Sequence, residues 1–207
     1  MSNEVVEILQ KVGAVLLNDH FVGTSGRHLE GYVNKDALFP HTEETSRIGQ
    51  LFAETFKNHD IDTVAAPAMG GIILSQWAAY HLSKIKGKEI YSVYAEKVDG
   101  NLQLTRGYDA FVKGKKVLVI EDLTTTGESL KKVIQVVQEA GGKIVAASVM
   151  LNKDPELVSS QTFGVPFVAL AELRVRSFDE KDCPLCQKNV PINVTVGHGK
   201  KYLQQKI

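Results

Sequence analysis

Two hydrophobic spacings alternate along this chain. Short continuous apolar runs at 61–66, 90–95, 117–120, 143–151 and 166–171 read as buried strands. Between them, apolar residues recur every three to four positions. Ile48, Leu51, Phe52 and Phe56 form one such stripe over 42–57, with Thr42 as its predicted N-cap. Further helices are predicted over 72–85 and 129–140, the second stopped by Gly141-Gly142. Val5, Ile8, Leu9, Val12 and Leu16 carry helical periodicity over 3–18. Residues 20–39 instead set glycines between short extended patches, which predicts a small hairpin-like unit outside the main core. Residues 102–105 predict a short strand on a mobile excursion. Strands alternating with helices imply right-handed crossovers, hence an α/β fold with a mainly parallel central sheet flanked by helices.

At 207 residues the chain suits one domain with a sizeable core, carrying the small N-terminal unit at about 18–40 and a tail at about 178–207. Lys plus Arg and Asp plus Glu are each 24, and this balance argues against a general nucleic-acid binder. No apolar run is long enough to span a membrane. The start, Met1-Ser-Asn-Glu-Val-Val-Glu-Ile8, lacks the basic and apolar regions of a signal peptide. A cytoplasmic protein with reduced thiols is expected.

The densest chemistry lies in Lys116-Val-Leu-Val-Ile-Glu-Asp-Leu-Thr-Thr-Thr-Gly-Glu-Ser-Leu130. Glu121 and Asp122 fall where the apolar strand is predicted to end, and a loop of hydroxyl residues and glycine, 124–129, leads into a helix. In open α/β sheets ligands bind beyond the carboxyl ends of strands. A loop rich in N–H and hydroxyl donors before a helix N-terminus suits an anion. The acids would repel a phosphate and suit sugar hydroxyls or a hydrated Mg²⁺. Phosphate, diol and Mg²⁺ together suggest a phosphorylated ribose. An ordinary strand–turn–helix would leave the adjacent acids and consecutive threonines without a role. Neither a P-loop nor a Gly-x-Gly-x-x-Gly turn is present. Ala66-Pro-Ala-Met-Gly-Gly-Ile72 also joins a strand to a helix. Its glycines allow close backbone approach, so Met69, Gly70 and Gly71 form a second candidate anion turn.

The 116–130 segment resembles the phosphoribosyl-diphosphate (PRPP) signature of type I phosphoribosyltransferases: apolar strand, two acids, an apolar residue, then a Thr/Gly/Ser loop. The resemblance implies that fold, Mg²⁺ as cofactor, and PRPP bound from Glu121, Asp122 and Leu123 through Thr124, Thr125, Thr126 and Gly127 to Glu128 and Ser129. It gives the 69–71 turn the diphosphate. Phe21-Val-Gly-Thr-Ser-Gly-Arg-His-Leu-Glu-Gly-Tyr-Val-Asn34 resembles the N-terminal hood of orotate phosphoribosyltransferases, so the likeness runs from about His20 to Lys153. In that family backbone around the hood's aromatic pair frames the pyrimidine, here Tyr32 and Val33; Tyr32 equally suits a packing residue of a hairpin. The family implies a homodimer with PRPP and orotate as substrates.

The chain departs from that family at several positions. Tyr94 to Tyr108 holds no Lys-x-His-Gly, leaving Lys97 and Arg106 as the cations for the diphosphate. Thr24 stands at the usual hood lysine and Gly70 at a turn lysine. Lys153 stands where an arginine usually holds the base carboxylate, which keeps the charge but loses the bidentate fork. By this reading Asp122, Glu121, Lys97 and Arg106 are the catalytic set, and Thr125 and Lys153 position the base. Three alternatives stay open: a transferase for another base, a PRPP-sensing regulator, and an inactive scaffold. Cys183-Pro-Leu-Cys186 is half a zinc site, to be completed by His198 or a second subunit, and a structural turn with reduced thiols is the favoured reading. His198 is expected to be a tail residue.

Overall fold

A computed structural model of the chain describes residues 4–23 and 25–205. Thr24, discussed above as standing at a hood lysine, lies outside the described residues, as does the first residue of the predicted 3–18 stripe. In chain order the first elements are α1 (Glu4–Lys11), β1 (Val15–Val22), β2 (His28–Val33), α2 (Thr42–Phe56), β3 (Thr63–Pro67), α3 (Gly70–Lys86), β4 (Tyr91–Val98) and β5 (Asn101–Leu104). They are followed by β6 (Lys116–Thr124), α4 (Glu128–Glu139), β7 (Lys143–Asn152), α5 (Ser160–Phe163), β8 (Phe167–Glu172), β9 (Ser177–Phe178), α6 (Pro184–Gln187) and α7 (Gly199–Gln204). No described helix is long and apolar enough to cross a membrane.

The central sheet runs β5-β4-β3-β6-β7-β8. It is parallel except at its edge, where β5 folds back on β4. This is the mainly parallel α/β architecture implied by the alternating pattern. β6 shows why its apolar run is unbroken. Leu118 and Ile120 enter one core with Phe52 and Phe56 of α2 and Leu74 and Leu82 of α3. Val117 and Val119 enter a second core with Leu130, Val133 and Val137 of α4. Successive side chains point to opposite faces, so a strand covered on both sides must be apolar at every position. Gly49 lets α2 and α3 close on each other: a Cβ there would lie 2.4 Å from Trp77 Cβ.

The first helix is shorter than its periodicity predicts. α1 ends at Lys11, and Leu16 belongs to β1. Gly13, at φ 70°, turns the chain out of the helix, and Val15–Leu17 then pair with Gly31–Val33. The hood therefore starts earlier than predicted and gains a third strand, β9, from far along the chain. The N-cap of α2 is His41, one residue before the predicted Thr42, and its side chain makes no capping bond.

Candidate active site

β6 remains paired with β7 as far as Thr124, opposite Asn152. The two acids therefore lie within the strand, not past its end, and are nearly shut off from water: Glu121 is 9% exposed and Asp122 5%. Asp122 Oδ2 receives Lys35 Nζ at 2.6 Å, and its Oδ1 accepts the Leu123 N–H at 2.6 Å. Glu121 has weaker compensation. Burial pushes its pKa up from 4.5 to about 8, and the neighbouring Asp122 charge adds to the rise, while the Ser129 hydroxyl and Lys35 pull the other way. The pair thus divides into a carboxyl that burial keeps protonated through neutral pH and one paired with a lysine.

The loop after the acids is pinned at both ends. Lys153 N–H donates to Thr124 O at 2.9 Å, and Gly127 N–H donates to Thr124 Oγ1 at 3.0 Å. Gly127 has φ 78° and precedes the first residue of α4, so the helix N-terminus opens onto the loop. The glycines of the other predicted turn also have a packing role. A Cβ on Gly70 would lie 1.8 Å from Asp122 Oδ2 and 3.0 Å from Lys35 Nζ, and one on Gly71 would lie 2.9 Å from Ala66 Cβ. These glycines make room for the Lys35–Asp122 pair and for the close seating of α3 on β3. The Ala68–Met69 peptide is cis, and Met69 is 80% exposed.

Two cavities meet this loop. The first, about 700 Å³, lies under the hood and is lined by Tyr32, Val33, Thr125 and Lys153, together with Arg174 and Arg176. All four residues predicted to contact the base thus share one cavity. Burial pulls the Lys153 ammonium below the usual lysine range. The second cavity, about 740 Å³, is lined by Met69, Lys97, Glu121, Glu128, Ser129 and Lys132. Arg106, grouped with Lys97 by the sequence, does not line it. Its guanidinium is bound to Glu96 at 3.1 and 3.3 Å beside the β4–β5 hairpin.

Several residues here were missed from sequence. Lys35 reaches Asp122 across 87 positions, so no local pattern marks it. Arg174 and Arg176 follow the last central strand, and their alternate spacing was the available signal. Arg176 is held by Glu30 of β2 at 2.5 and 2.7 Å. His198 is not what meets the Cys183/Cys186 pair. His198 sits before α7 with its N–H bonded to Val22 O, and the residues against the sulfurs are His20 and His28 of the hood.

Residues 34–164 match the phosphoribosyl transferase domain family. A Thermotoga maritima protein named orotate phosphoribosyltransferase is 38% identical over 198 residues, covering 95% of this chain and all of that one. The crystal structure of orotate phosphoribosyltransferase from Aeropyrum pernix superposes with a TM-score of 0.65 at 26% identity, over 82% of this chain and 93% of that one. The Mycobacterium tuberculosis orotate phosphoribosyltransferase, crystallised with 5-phospho-α-D-ribosyl 1-diphosphate, shares the fold with a TM-score of 0.63 at 21% identity, over 82% and 96% of the two chains. The chain belongs to the phosphoribosyltransferase family, in the branch formed by the orotate phosphoribosyltransferases.

Proposed function

We propose that the chain transfers the 5-phosphoribosyl group of PRPP to orotate, giving orotidine 5′-monophosphate and diphosphate in pyrimidine synthesis. One observation carries this reading: the loop after Asp122 contributes to two cavities, Thr125 to the hood cavity and Glu128 and Ser129 to the other. A ribose bound on that loop has the incoming base on one side and the leaving diphosphate on the other, the alignment that a displacement at its anomeric carbon requires.

The backbone N–H groups and hydroxyls of Thr124 to Ser129 hold the 5′-phosphate at the start of α4. Asp122 and Glu121 orient the ribose 2′- and 3′-hydroxyls. The Asp122 carboxylate also favours the positive charge that builds on the ring as diphosphate departs. Lys97 and the 69–71 turn meet the diphosphate. Lys35 joins them, because its ammonium already lies beside Gly70 and is released from Asp122 when the ribose diol takes that carboxylate. Arg106 must leave Glu96 to act there. Lys153 and Thr125 hold the base carboxylate, with the Tyr32–Val33 backbone framing the ring.

Magnesium dependence belongs to the same proposal. Glu121 keeps its proton through neutral pH and Asp122 holds Lys35, so the other carboxyl groups lining the second cavity are Glu128 and Glu139, at opposite ends of α4. That sparse set of hard donors fits an ion that arrives mainly on substrate oxygens and keeps several waters. Bound there, Mg²⁺ would neutralise the departing diphosphate. The homodimer is also a proposal. Ile73 and Tyr80, on α3, are 37% and 49% exposed, flank Trp77 and follow exposed Met69 at helical spacing, an apolar face suited to a second copy. Light scattering tests it, and a monomeric mass would contradict it.

The base is tested by offering orotate, uracil, adenine and hypoxanthine separately with PRPP and Mg²⁺ and measuring diphosphate release. Release driven by orotate alone is expected. Release driven by a purine or by uracil would move the chain to another branch of the family.

A further inference from the structure

We propose that His20, His28, Cys183 and Cys186 form a structural Zn²⁺ site that fastens the C-terminal segment to the hood. Their ligand atoms all lie within 4.8 Å of one another. His20, His28 and Cys183 are buried and Cys186 is half-buried. Nothing in the proposed transfer reaction uses these residues.

The hairpin prepares half of the site. His20 lies in the stretch of β1 between Leu17 and Phe21 where the register with β2 shifts, and its Nε2 stands 2.7 Å from His28 Nδ1 at the start of β2. The Cys183-Pro-Leu-Cys186 turn supplies the other half, with Gln187 N–H closing on Cys183 O at 3.1 Å. Cys183 Sγ lies 3.7 Å from His20 Nε2, and Cys186 Sγ lies 3.9 Å from His20 Nε2 and 3.3 Å from His28 Nδ1. Bonds of about 2.0 Å to nitrogen and 2.3 Å to sulfur give tetrahedral N–S edges of about 3.5 Å and an N–N edge of about 3.3 Å. The three N–S distances already bracket that edge. The nitrogens stand 2.7 Å apart and need to open by only about 0.6 Å.

The surroundings suit a metal as well. His20 Nδ1 is 2.8 Å from Val190 O, a contact that keeps the proton on Nδ1 and leaves the Nε2 lone pair facing the cluster. Two thiolates and two neutral imidazoles balance the charge of one Zn²⁺. Four protein ligands in a buried setting make a closed site, which is the structural class and not the catalytic one. A redox pair would need only the two sulfurs; the imidazole nitrogens among them are what a metal requires.

The site is tested on the full chain purified without chelator and dialysed against metal-free buffer. Elemental analysis should find about one zinc per chain, against less than about a tenth in the Cys183→Ser/Cys186→Ser variant. If that variant does not fold, the unaltered protein reloaded with Co²⁺ decides. A thiolate-to-cobalt charge-transfer band with strong tetrahedral d–d bands is expected. Both thiols should also react with a disulfide reagent only after a chelator is added. Zinc below about a tenth per chain with no tetrahedral cobalt spectrum, an isolated Cys183–Cys186 disulfide, or full zinc retained by the double variant would each overturn the site. None of these readings depends on which base the protein uses.

Discussion

Replacing Glu121 with glutamine tests how burial acts on the centre of the site. The Glu121 pKa is about 8 in the folded protein against 4.5 for a free side chain. Between those values the folded chain holds a proton that the unfolded chain has released. The unfolded state then binds fewer protons, so stability falls as pH rises across that window. Each pH step is worth about 1.4 kcal/mol, so the full interval from 4.5 to about 8 costs about 5 kcal/mol once the pH exceeds the folded value. Glutamine keeps the size and polarity of the protonated carboxyl and cannot ionise. Urea unfolding followed by the fluorescence of Trp77, the chain's one tryptophan, measures this at pH steps from about 5 to 9. The two proteins should be close in stability at the acid end. The variant should gain on the parent as pH rises, by several kcal/mol at the alkaline end. Parallel stability curves would refute the reasoning and mean that Glu121 ionises freely where it lies.

The remaining predictions concern the reaction. Asp122→Asn should lower turnover by about 100-fold or more, because a carboxylate facing developing positive charge is lost, while the melting temperature moves by only a few degrees; near-normal turnover would remove Asp122 from the centre. Gly70→Ala drives a methyl into the space of Asp122 Oδ2, 1.8 Å away, and should mimic that loss; full activity would show that the Lys35–Asp122 arrangement is unimportant to the reaction. Lys153→Ala should raise KM for the base more than for PRPP, and the reverse would take Lys153 out of the base site. Because burial lowers the Lys153 pKa, KM for the base in the parent should climb with alkaline pH sooner than an ordinary lysine allows, and the climb should vanish in the alanine variant.

The parts legible in sequence were those whose signals are contiguous. Val117 to Ile120, the two acids and the hydroxyl loop stand together, and each constrains the reading of the next. The same holds for the strand–turn–helix at 63–86. Periodicity misled where it ran through a breaker: Leu16 fits the helical stripe of Val5 and Leu9, yet Gly13 intervenes and β pairing with the hood wins. Contacts made by chain return were out of reach. Lys35 meets Asp122, β9 joins the hood sheet, and Cys183 meets His20 across 163 positions. No local pattern encodes such meetings, because each depends on where the whole fold returns the chain. Arg106 rests on Glu96 of β4, a local ion pair that its charge alone did not signal.

Orotate consumption in the presence of PRPP and Mg²⁺, followed by its absorbance beside the release of diphosphate, bears most directly on the central claim. The account predicts that orotate disappears and diphosphate appears in equal amounts, and that both stop in Asp122→Asn. PRPP bound tightly in calorimetry with no orotate consumed would contradict it, leaving a ribose-phosphate site that does not perform this transfer.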